Sequence, residues 1–287
     1  MSIETGHFIR IQIPARSRAL WLSPAWAVVC GIVASSAFVW TGRDVLIAML
    51  AVLLADGAWA TAWWGLVETD WPQLIARWPQ VTPDPIGQPW PLARPGSPAD
   101  RAQHWAARTR VWWREVLWPE ASTPVLSALA SSGLAVVLSA IIGWAALTLS
   151  LGAFALTQIG VLLEHQHGRA SHVARGALDV GLAWALGHAA FGTLTSLSAG
   201  VAALFAIAYG SSVDLARGGQ QARWWLLPQL AIVILLVLIQ QPLAAFAVIS
   251  LLIAQSLLAT VRRGLPFAQG AQVWLLLAML VTALAIR

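Results

Sequence analysis

The sequence predicts an all-α, polytopic membrane protein, and its composition carries this prediction. Of its 287 residues, 59% are hydrophobic and only 10% are charged, and the mean hydropathy is +0.72. Soluble globular domains carry roughly 25% charged residues, because a surface that faces water needs them. These values exclude a disordered chain, a nucleic-acid-binding domain and a soluble enzyme. The net charge of +5 therefore reports on the orientation of membrane segments.

Apolar stretches of about 20 residues, the length needed to cross a bilayer, divide the chain into spans. The stretch 125–163 is long enough for two spans, with a break near Ile142 and Gly143. Seven further spans are predicted at 20–40, 44–67, 173–192, 194–210, 224–241, 243–260 and 267–286. We therefore predict nine transmembrane helices in a single membrane domain, 1–287.

The placement of arginine supports this count and sets the orientation. With nine spans and a cytoplasmic N-terminus, 15 of the 17 arginines fall on cytoplasmic segments. Treating 125–163 as one span changes the split to 10 and 7. Because cationic residues favour the cytoplasmic side, we predict nine spans with the N-terminus inside, and we expect a bacterial inner membrane.

The longest cytoplasmic segment, 68–124, holds ten of the fifteen prolines. Its first half, 71–95, is predicted to be irregular. Its second half begins at Ser97, a predicted N-cap that is followed by a proline and an acidic residue. Tryptophan and charged residues then separate onto opposite helical faces. We predict an amphipathic helix over 98–118, either lying in the membrane interface or packed on the protein's own loops.

Two short motifs accompany the span arrangement, in which long cytoplasmic loops follow spans two and six. Arg18, Pro24 and Gly31 surround the start of the first helix, and Tyr209 precedes Asp214 at the end of the sixth. This combination resembles the UbiA superfamily of intramembrane prenyltransferases. The resemblance implies transfer of an isoprenoid group from its diphosphate to an acceptor such as a quinone precursor, haem or chlorophyllide. It also implies Mg²⁺, which neutralises the diphosphate and takes several oxygen ligands.

The sequence departs from both aspartate-rich motifs of that family. Near the end of span two the only carboxylates are Glu68 and Asp70, and after span six Asp214 is followed by Gly218 where the family has a second aspartate. The resemblance implies that Glu68, Asp70 and Asp214 hold Mg²⁺ and serve catalysis. Three scattered carboxylates suit one metal ion better than two.

The resemblance also assigns substrate-binding roles to arginines and aromatic residues. The arginines that would bind the diphosphate are Arg169, Arg175, Arg217 and Arg223. Arginine at a cytoplasmic helix end is equally what membrane orientation demands. The aromatic residues that would line the isoprenoid site are Trp59, Trp63, Trp184 and Tyr209. Indole faces there could stabilise an allylic cation.

Three ionisable residues fall inside predicted spans and are functional candidates, because burying such groups in a membrane is costly. Asp56 and Asp179 either serve a site or are protonated and hydrogen-bonded, and His188 is either a helix-contact donor or an axial ligand to a chlorin or haem. The connection after span four carries His165, His167 and His172. We predict a solvated loop there, because no tetrahedral set of four ligands appears.

Three functions follow from these observations. The first is prenyl transfer to an aromatic or tetrapyrrole acceptor with Mg²⁺. The second is a non-catalytic subunit of a larger membrane complex that binds a quinone, carotenoid, chlorophyll or other lipid. The third, a transporter, ranks last because the sequence shows no internal repeat. The expected partners are the lipid bilayer, an isoprenoid or lipid-like ligand and other membrane subunits, but no nucleic acid.

Overall fold

The computed structural model describes six ranges of the chain: residues 24–67, 69–85, 93–167, 171–216, 225–262 and 265–287. All regular structure in these ranges is helical. The first helices are α1 (Pro24–Ser35), α2 (Gly42–Val67), α3 (Trp71–Ala76) and α4 (Pro98–Ile142). The middle helices are α5 (Trp144–His167), α6 (171–189) and α7 (Ser196–Ala216). The last are α8 (Leu226–Leu238), α9 (Pro242–Val261) and α10 (Leu265–Ala285).

Each of the nine predicted spans contains a helix within the described ranges. Judged by length and composition, six helices in the described ranges are long enough and apolar enough to cross a membrane: Gly42–Val67, Pro98–Ile142, Trp144–Leu162, Ser196–Leu215, Pro242–Val261 and Leu265–Ala285. Two shorter apolar helices are α1 and α8. The chain is therefore a helical membrane protein, while the count of nine crossings stays a prediction.

The break between α4 and α5 lies where the sequence predicts it. Gly143 has φ +133°, a conformation that favours glycine, and its amide bonds the Ser139 carbonyl to end α4. Helices follow on both sides of this residue. The prediction that 125–163 forms two helices is confirmed.

The helix that was predicted over 98–118 starts as expected but does not end there. The Ser97 hydroxyl accepts a hydrogen bond from the Asp100 amide at 3.2 Å, as an N-cap should. The helix then continues through a π-helical turn, Trp113–Leu117, into the predicted third span. The predicted C-terminal boundary at residue 118 is therefore wrong. The proline at 119 does not stop the helix, because it stands in the first turn of the α-helical stretch that follows the π-helical turn, where proline is tolerated.

The first turns of α4 pack on the preceding segment of the chain. The Trp112 indole N–H donates to the Leu74 carbonyl at 2.9 Å, and the Trp78 indole N–H donates to the Thr109 hydroxyl at 3.3 Å. These contacts favour a helix packed on the protein's own loops over one that lies free in the interface.

Part of the segment predicted to be irregular, 71–95, is helical. Asp70 caps α3 by accepting from the Gln73 amide at 3.2 Å, and a proline occupies the first turn of that helix. A 3₁₀ turn, Trp78–Gln80, follows. The proline-rich composition was therefore a poor guide here, because proline is well tolerated at helix starts.

The bundle is built by consecutive helices that pack side by side. α1 contacts α2, α6 and α10, and α6 also contacts α5 and α7. α9 packs against α10 and α8, and the contact between α10 and α1 joins the two halves of the chain. α6 thus lies among helices from the first half and the second half, and this places its polar side chains in the interior.

Candidate functional site

A buried ion pair on α6 forms the centre of the candidate site. Arg175 Nε lies 3.2 Å from Asp179 Oδ2, and the two side chains are only 12% and 8% exposed. The buried Tyr209 side chain, from α7, is close enough to interact with both the Asp179 carboxylate and the Arg175 guanidinium. Buried charges are tolerated when they are paired and hydrogen-bonded in this way. Two residues predicted to bind substrate thus lie together with one predicted intramembrane carboxylate.

Two side chains from α2 complete this polar centre. The Arg175 guanidinium carbon lies 4.8 Å from the centroid of the Trp64 ring, a cation–π contact. Asp56 is close enough to Asp179 to interact with it electrostatically. The polar centre, which we define as Asp56, Trp64, Arg175, Asp179 and Tyr209, therefore joins α2, α6 and α7. It combines two carboxylates with one guanidinium.

Local backbone geometry explains how these helices come together. Both carboxylates stand on π-helical turns, Leu53–Trp59 in α2 and Ala177–Leu182 in α6, and such turns are frequent at functional sites. Two glycines bring α6 and α7 into backbone contact. A Cβ atom on Gly176 would lie 2.2 Å from the Ala206 carbonyl oxygen, and one on Gly210 would lie 2.6 Å from the His172 carbonyl oxygen. Only glycine permits this approach at either position.

A second pair lies toward the end of the bundle where α6 begins and α7 ends. His172 Nε2 is 3.5 Å from Asp214 Oδ1, with the side chains 4% and 20% exposed. His172 was predicted to lie in a solvated loop, and its burial shows that this prediction is wrong. His172, Arg175 and Asp179 stand at i, i+3 and i+7, so one face of α6 carries both pairs.

The residues predicted to bind a metal do not form a metal site in the described ranges. Asp70 is exposed and caps α3, Asp214 faces His172, and Glu68 lies outside the described residues. No group of three His, Cys, Asp or Glu side chains in the described ranges could hold a metal ion. Because Mg²⁺ takes several oxygen ligands in near-octahedral geometry, the described residues do not fit the ion that the resemblance implies.

The remaining predicted residues are placed as follows. Arg169, Arg217 and Arg223 lie outside the described residues. Trp59 donates to the Ser150 hydroxyl at 3.0 Å, and that hydroxyl also bonds Ser139 at 2.7 Å. Trp63 is buried against Gly160, where a Cβ atom would lie 2.5 Å from the indole ring. Both tryptophans therefore pack in contacts among α2, α4 and α5.

His188 and Trp184 belong to a buried hydrogen-bond chain. The Trp184 N–H donates to the Ser198 hydroxyl at 2.9 Å, which lies 3.0 Å from His188 Nδ1. His188 Nε2 lies 3.1 Å from the Thr193 carbonyl oxygen. Both ring nitrogens are engaged, so the geometry favours the helix-contact role over axial ligation of a chlorin or haem.

An apolar cavity of about 660 Å³ lies between α1 and the first half of α2. It is at the end of the bundle where the 36–41 turn contacts α6, since the Phe38 and Phe191 rings lie 5.3 Å apart. The His172–Asp214 pair lies at the opposite end. Trp59, Trp63, Trp184 and Tyr209 are not among the residues that line this cavity. Asp56 is, and it connects the cavity to the polar centre.

The fold and the polar centre define the chain as an integral membrane protein, a helical bundle with ionisable groups held in its interior. Along 321 aligned residues it is 27% identical to the chloroplastic chlorophyll synthase of Arabidopsis thaliana, and the alignment covers 99% of this chain and 76% of that protein. This similarity agrees with the resemblance to UbiA-type prenyltransferases. No family model matches the chain. No solved structure matches it either.

Proposed function

We propose that the chain is a UbiA-type membrane prenyltransferase that transfers an isoprenoid group to an aromatic or tetrapyrrole acceptor. The observation that carries this proposal is the similarity to a chlorophyll synthase along 99% of the chain. A similarity of that extent covers every helix that contributes to the polar centre. Chlorophyll is a tetrapyrrole that bears an isoprenoid chain, so the relative supports both halves of the proposed reaction.

The reacting groups belong at the end of the bundle that carries His172 and Asp214. Transfer breaks the bond between the allylic carbon and the diphosphate oxygen, and the same carbon then bonds to the acceptor, which releases a proton. Arg175, one of the arginines predicted to bind the diphosphate, supplies a buried guanidinium, a group that binds phosphate oxygens in a bidentate manner. The face of Trp64, which already holds a cation, provides the kind of surface that stabilises an allylic cation.

The His172–Asp214 pair could accept the proton that the acceptor loses. Neutral imidazole beside a carboxylate is a common general base. A dependence on Mg²⁺ stays a prediction of the resemblance, and we assign no step to the ion because the described carboxylates do not assemble around one site.

Purified protein in lipid nanodiscs tests the transfer proposal. With a labelled C20 prenyl diphosphate and a chlorophyllide or aromatic acceptor, we expect diphosphate release and a prenylated product, and the assay is run with and without Mg²⁺. Asp214→Ala should lower the rate by about 10²-fold or more if Asp214 serves the base. Asp84→Ala is the matched control, because Asp84 is an exposed carboxylate whose ion-pair partner among the described residues is the exposed Arg114. Equal rates in the two variants would remove the role of Asp214.

A second candidate is a non-catalytic subunit that binds a quinone, pigment or other lipid. It is favoured by a specific observation: Asp70, Asp214 and Arg175 each already have a partner within the protein. Purification in mild detergent followed by solvent extraction and mass spectrometry tests it. A stoichiometric pigment or quinone together with absent diphosphate release would support the subunit, whereas an empty, active enzyme would exclude it.

A further inference from the structure

The Gln158 side chain lies on the lipid-facing surface of α5. Gln158 is exposed, and it belongs to the apolar stretch Trp144–Leu162, which is long enough to cross a membrane. At 1.5 Å per residue, Gln158 lies about 21 Å from Trp144 and about 6 Å from Leu162 along the helix axis. Because Cα–Cβ bonds in a helix tilt toward its N-terminus, the Gln158 side chain leaves the backbone toward Trp144, away from the nearer end of the span. A polar amide thus stands in the apolar part of this span.

Exposed hydroxyl groups on other helices of the bundle bond to their own helix. The Ser250 hydroxyl on α9 donates to the Phe246 carbonyl, and the Ser211 hydroxyl on α7 donates to the Ile207 carbonyl, each at 2.8 Å. Among the described residues, the Gln158 amide has no hydrogen bond of this kind. A polar group without a hydrogen-bond partner is costly in hydrocarbon, so we expect the partner of Gln158 to come from outside the chain.

A glutamine amide is its own hydrogen-bonding complement, because it combines N–H donors with a carbonyl acceptor. The chain already contains such a pair: Gln229 on α8 and Gln255 on α9 each donate to the other's carbonyl oxygen at 3.1 Å, in a buried contact between two helices. On a two-fold axis between two copies of one protein, a residue faces its own counterpart. Two copies of Gln158 on such an axis form the same reciprocal pair, whereas a lipid acyl chain offers neither donor nor acceptor.

The other residues on this face of α5 permit two helices to pack along it. Exposed residues follow one another at alternating spacings of four and three, and we call them the α5 seam: Trp144, Thr148, Leu151, Ala155, Gln158 and Leu162. This is the 3.5-residue repeat of helices that wrap around each other with a left-handed twist. Ala155, about one turn from Gln158, is small enough to let the two backbones approach.

We infer that two copies of this chain pack side by side in the membrane through the α5 seam, with their Gln158 amides paired at a two-fold axis. Both copies have the same orientation in the bilayer, so the two α5 helices run parallel and each seam residue faces its counterpart. None of the seam residues belongs to the polar centre. The inference therefore does not depend on the proposed prenyl transfer, and its test needs no substrate.

Disulfide cross-linking of the full chain in its membrane tests this contact. Leu151→Cys and Ala155→Cys each place one cysteine on the α5 seam, and Ile253→Cys places one on the exposed surface of α9 as the matched control. The native Cys30 is buried, so unmodified protein gives the background. With a copper–phenanthroline oxidant we expect dimers from both seam variants and about tenfold less from Ile253→Cys, because a disulfide forms only between closely approaching Cβ atoms. Equal cross-linking of Ile253→Cys, or no dimer from either seam variant, would overturn the inference.

A variant at Gln158 separates the amide pair from chance collisions of apolar helices. In the Ala155→Cys background, Gln158→Leu should lower the yield of cross-linked dimer about tenfold at a fixed protein-to-lipid ratio. Ser250→Leu makes the same kind of change on α9 and should leave the yield unchanged, because the Ser250 hydroxyl bonds to its own helix. Gel filtration follows the folding of each variant, and the cross-linking with native Gln158 decides the question if Gln158→Leu does not fold. An unchanged yield with folded Gln158→Leu would contradict the paired amides.

Discussion

At the scale of single residues, His188 shows that both ring nitrogens of a membrane histidine can have hydrogen-bond partners within the protein. Its two ring nitrogens contact the Ser198 hydroxyl and the Thr193 carbonyl, and Ser198 in turn receives the Trp184 N–H. Without the imidazole ring, the Ser198 hydroxyl and the Thr193 carbonyl, near the turn between α6 and α7, lose this hydrogen-bond partner. A buried polar group without a partner costs about 1–3 kcal/mol.

We therefore predict that His188→Leu lowers the free energy of unfolding by about 1–3 kcal/mol, measured by thermal unfolding in detergent. Ser250→Ala is the control, because the Ser250 hydroxyl is exposed and donates within its own helix, to the Phe246 carbonyl. A stability equal to that of the control would show that the hydrogen-bond chain contributes nothing.

The ion pair in the polar centre makes a second prediction at this scale. Asp179→Leu leaves the Arg175 charge buried without the Asp179 carboxylate, and we expect the free energy of unfolding to fall by about 3–5 kcal/mol. Removing both members of the pair, in Asp179→Leu with Arg175→Met, should recover much of this loss because Arg175 is then no longer buried without Asp179.

Chemical denaturation of the single and double variants measures the effect of the pair. The matched control is the ion pair between Arg77 and Glu120, whose side chains are 38% and 47% exposed. Glu120→Ala should cost at most about 1 kcal/mol, since water screens exposed pairs. A double variant less stable than Asp179→Leu would contradict this account of the centre.

At the scale of helices, glycines set the contact between α1 and α6. A Cβ atom on Gly31 would lie 2.1 Å from the Trp184 carbonyl oxygen, and one on Gly187 would lie 2.1 Å from the Val28 carbonyl oxygen. Alanine at either position must push the two helix backbones apart. We therefore expect the free energy of unfolding of each variant, measured by thermal unfolding, to fall by about 1–3 kcal/mol.

Gly133→Ala in α4 is the control for this prediction, because no atom lies within 4 Å of the added Cβ. Alanine restricts the unfolded chain more than glycine does, so this variant should be unchanged or more stable by up to about 1 kcal/mol. If Gly31→Ala behaved as Gly133→Ala does, the close packing of α1 on α6 would be refuted.

At the scale of the whole molecule, the sequence predicts what local chemistry determines. The break at Gly143 and the cap at Ser97 could be predicted because each depends on a few neighbouring residues. The helix α3 carried a similar local signal, an aspartate followed by a proline, that composition obscured. In the same way, the i, i+4 spacing of Arg175 and Asp179 signals a pair on one helix face.

The rest of the polar centre could not be predicted because it depends on packing between distant helices. Tyr209 reaches Arg175 only because Gly176 and Gly210 let α6 and α7 touch. Asp56 reaches Asp179 across the contact of α2 with α6. The burial of His172 has the same origin, since its partner Asp214 is 42 residues away in sequence.

The number of membrane crossings is a property of the whole molecule, and it decides which side of the membrane each end of the bundle faces. Nine spans with a cytoplasmic N-terminus put Thr82 inside and Gln241 outside. If 125–163 crossed the membrane only once, the chain would have eight spans and both positions would lie on the same side. The chain has one cysteine, Cys30, which is buried, so single cysteines can be introduced at the exposed positions Thr82 and Gln241. In intact cells a membrane-impermeant maleimide should label Thr82→Cys only after lysis and Gln241→Cys before it, and unmodified protein should stay unlabelled. Labelling of both from the same side would exclude nine crossings, because an odd number of spans must separate the two positions.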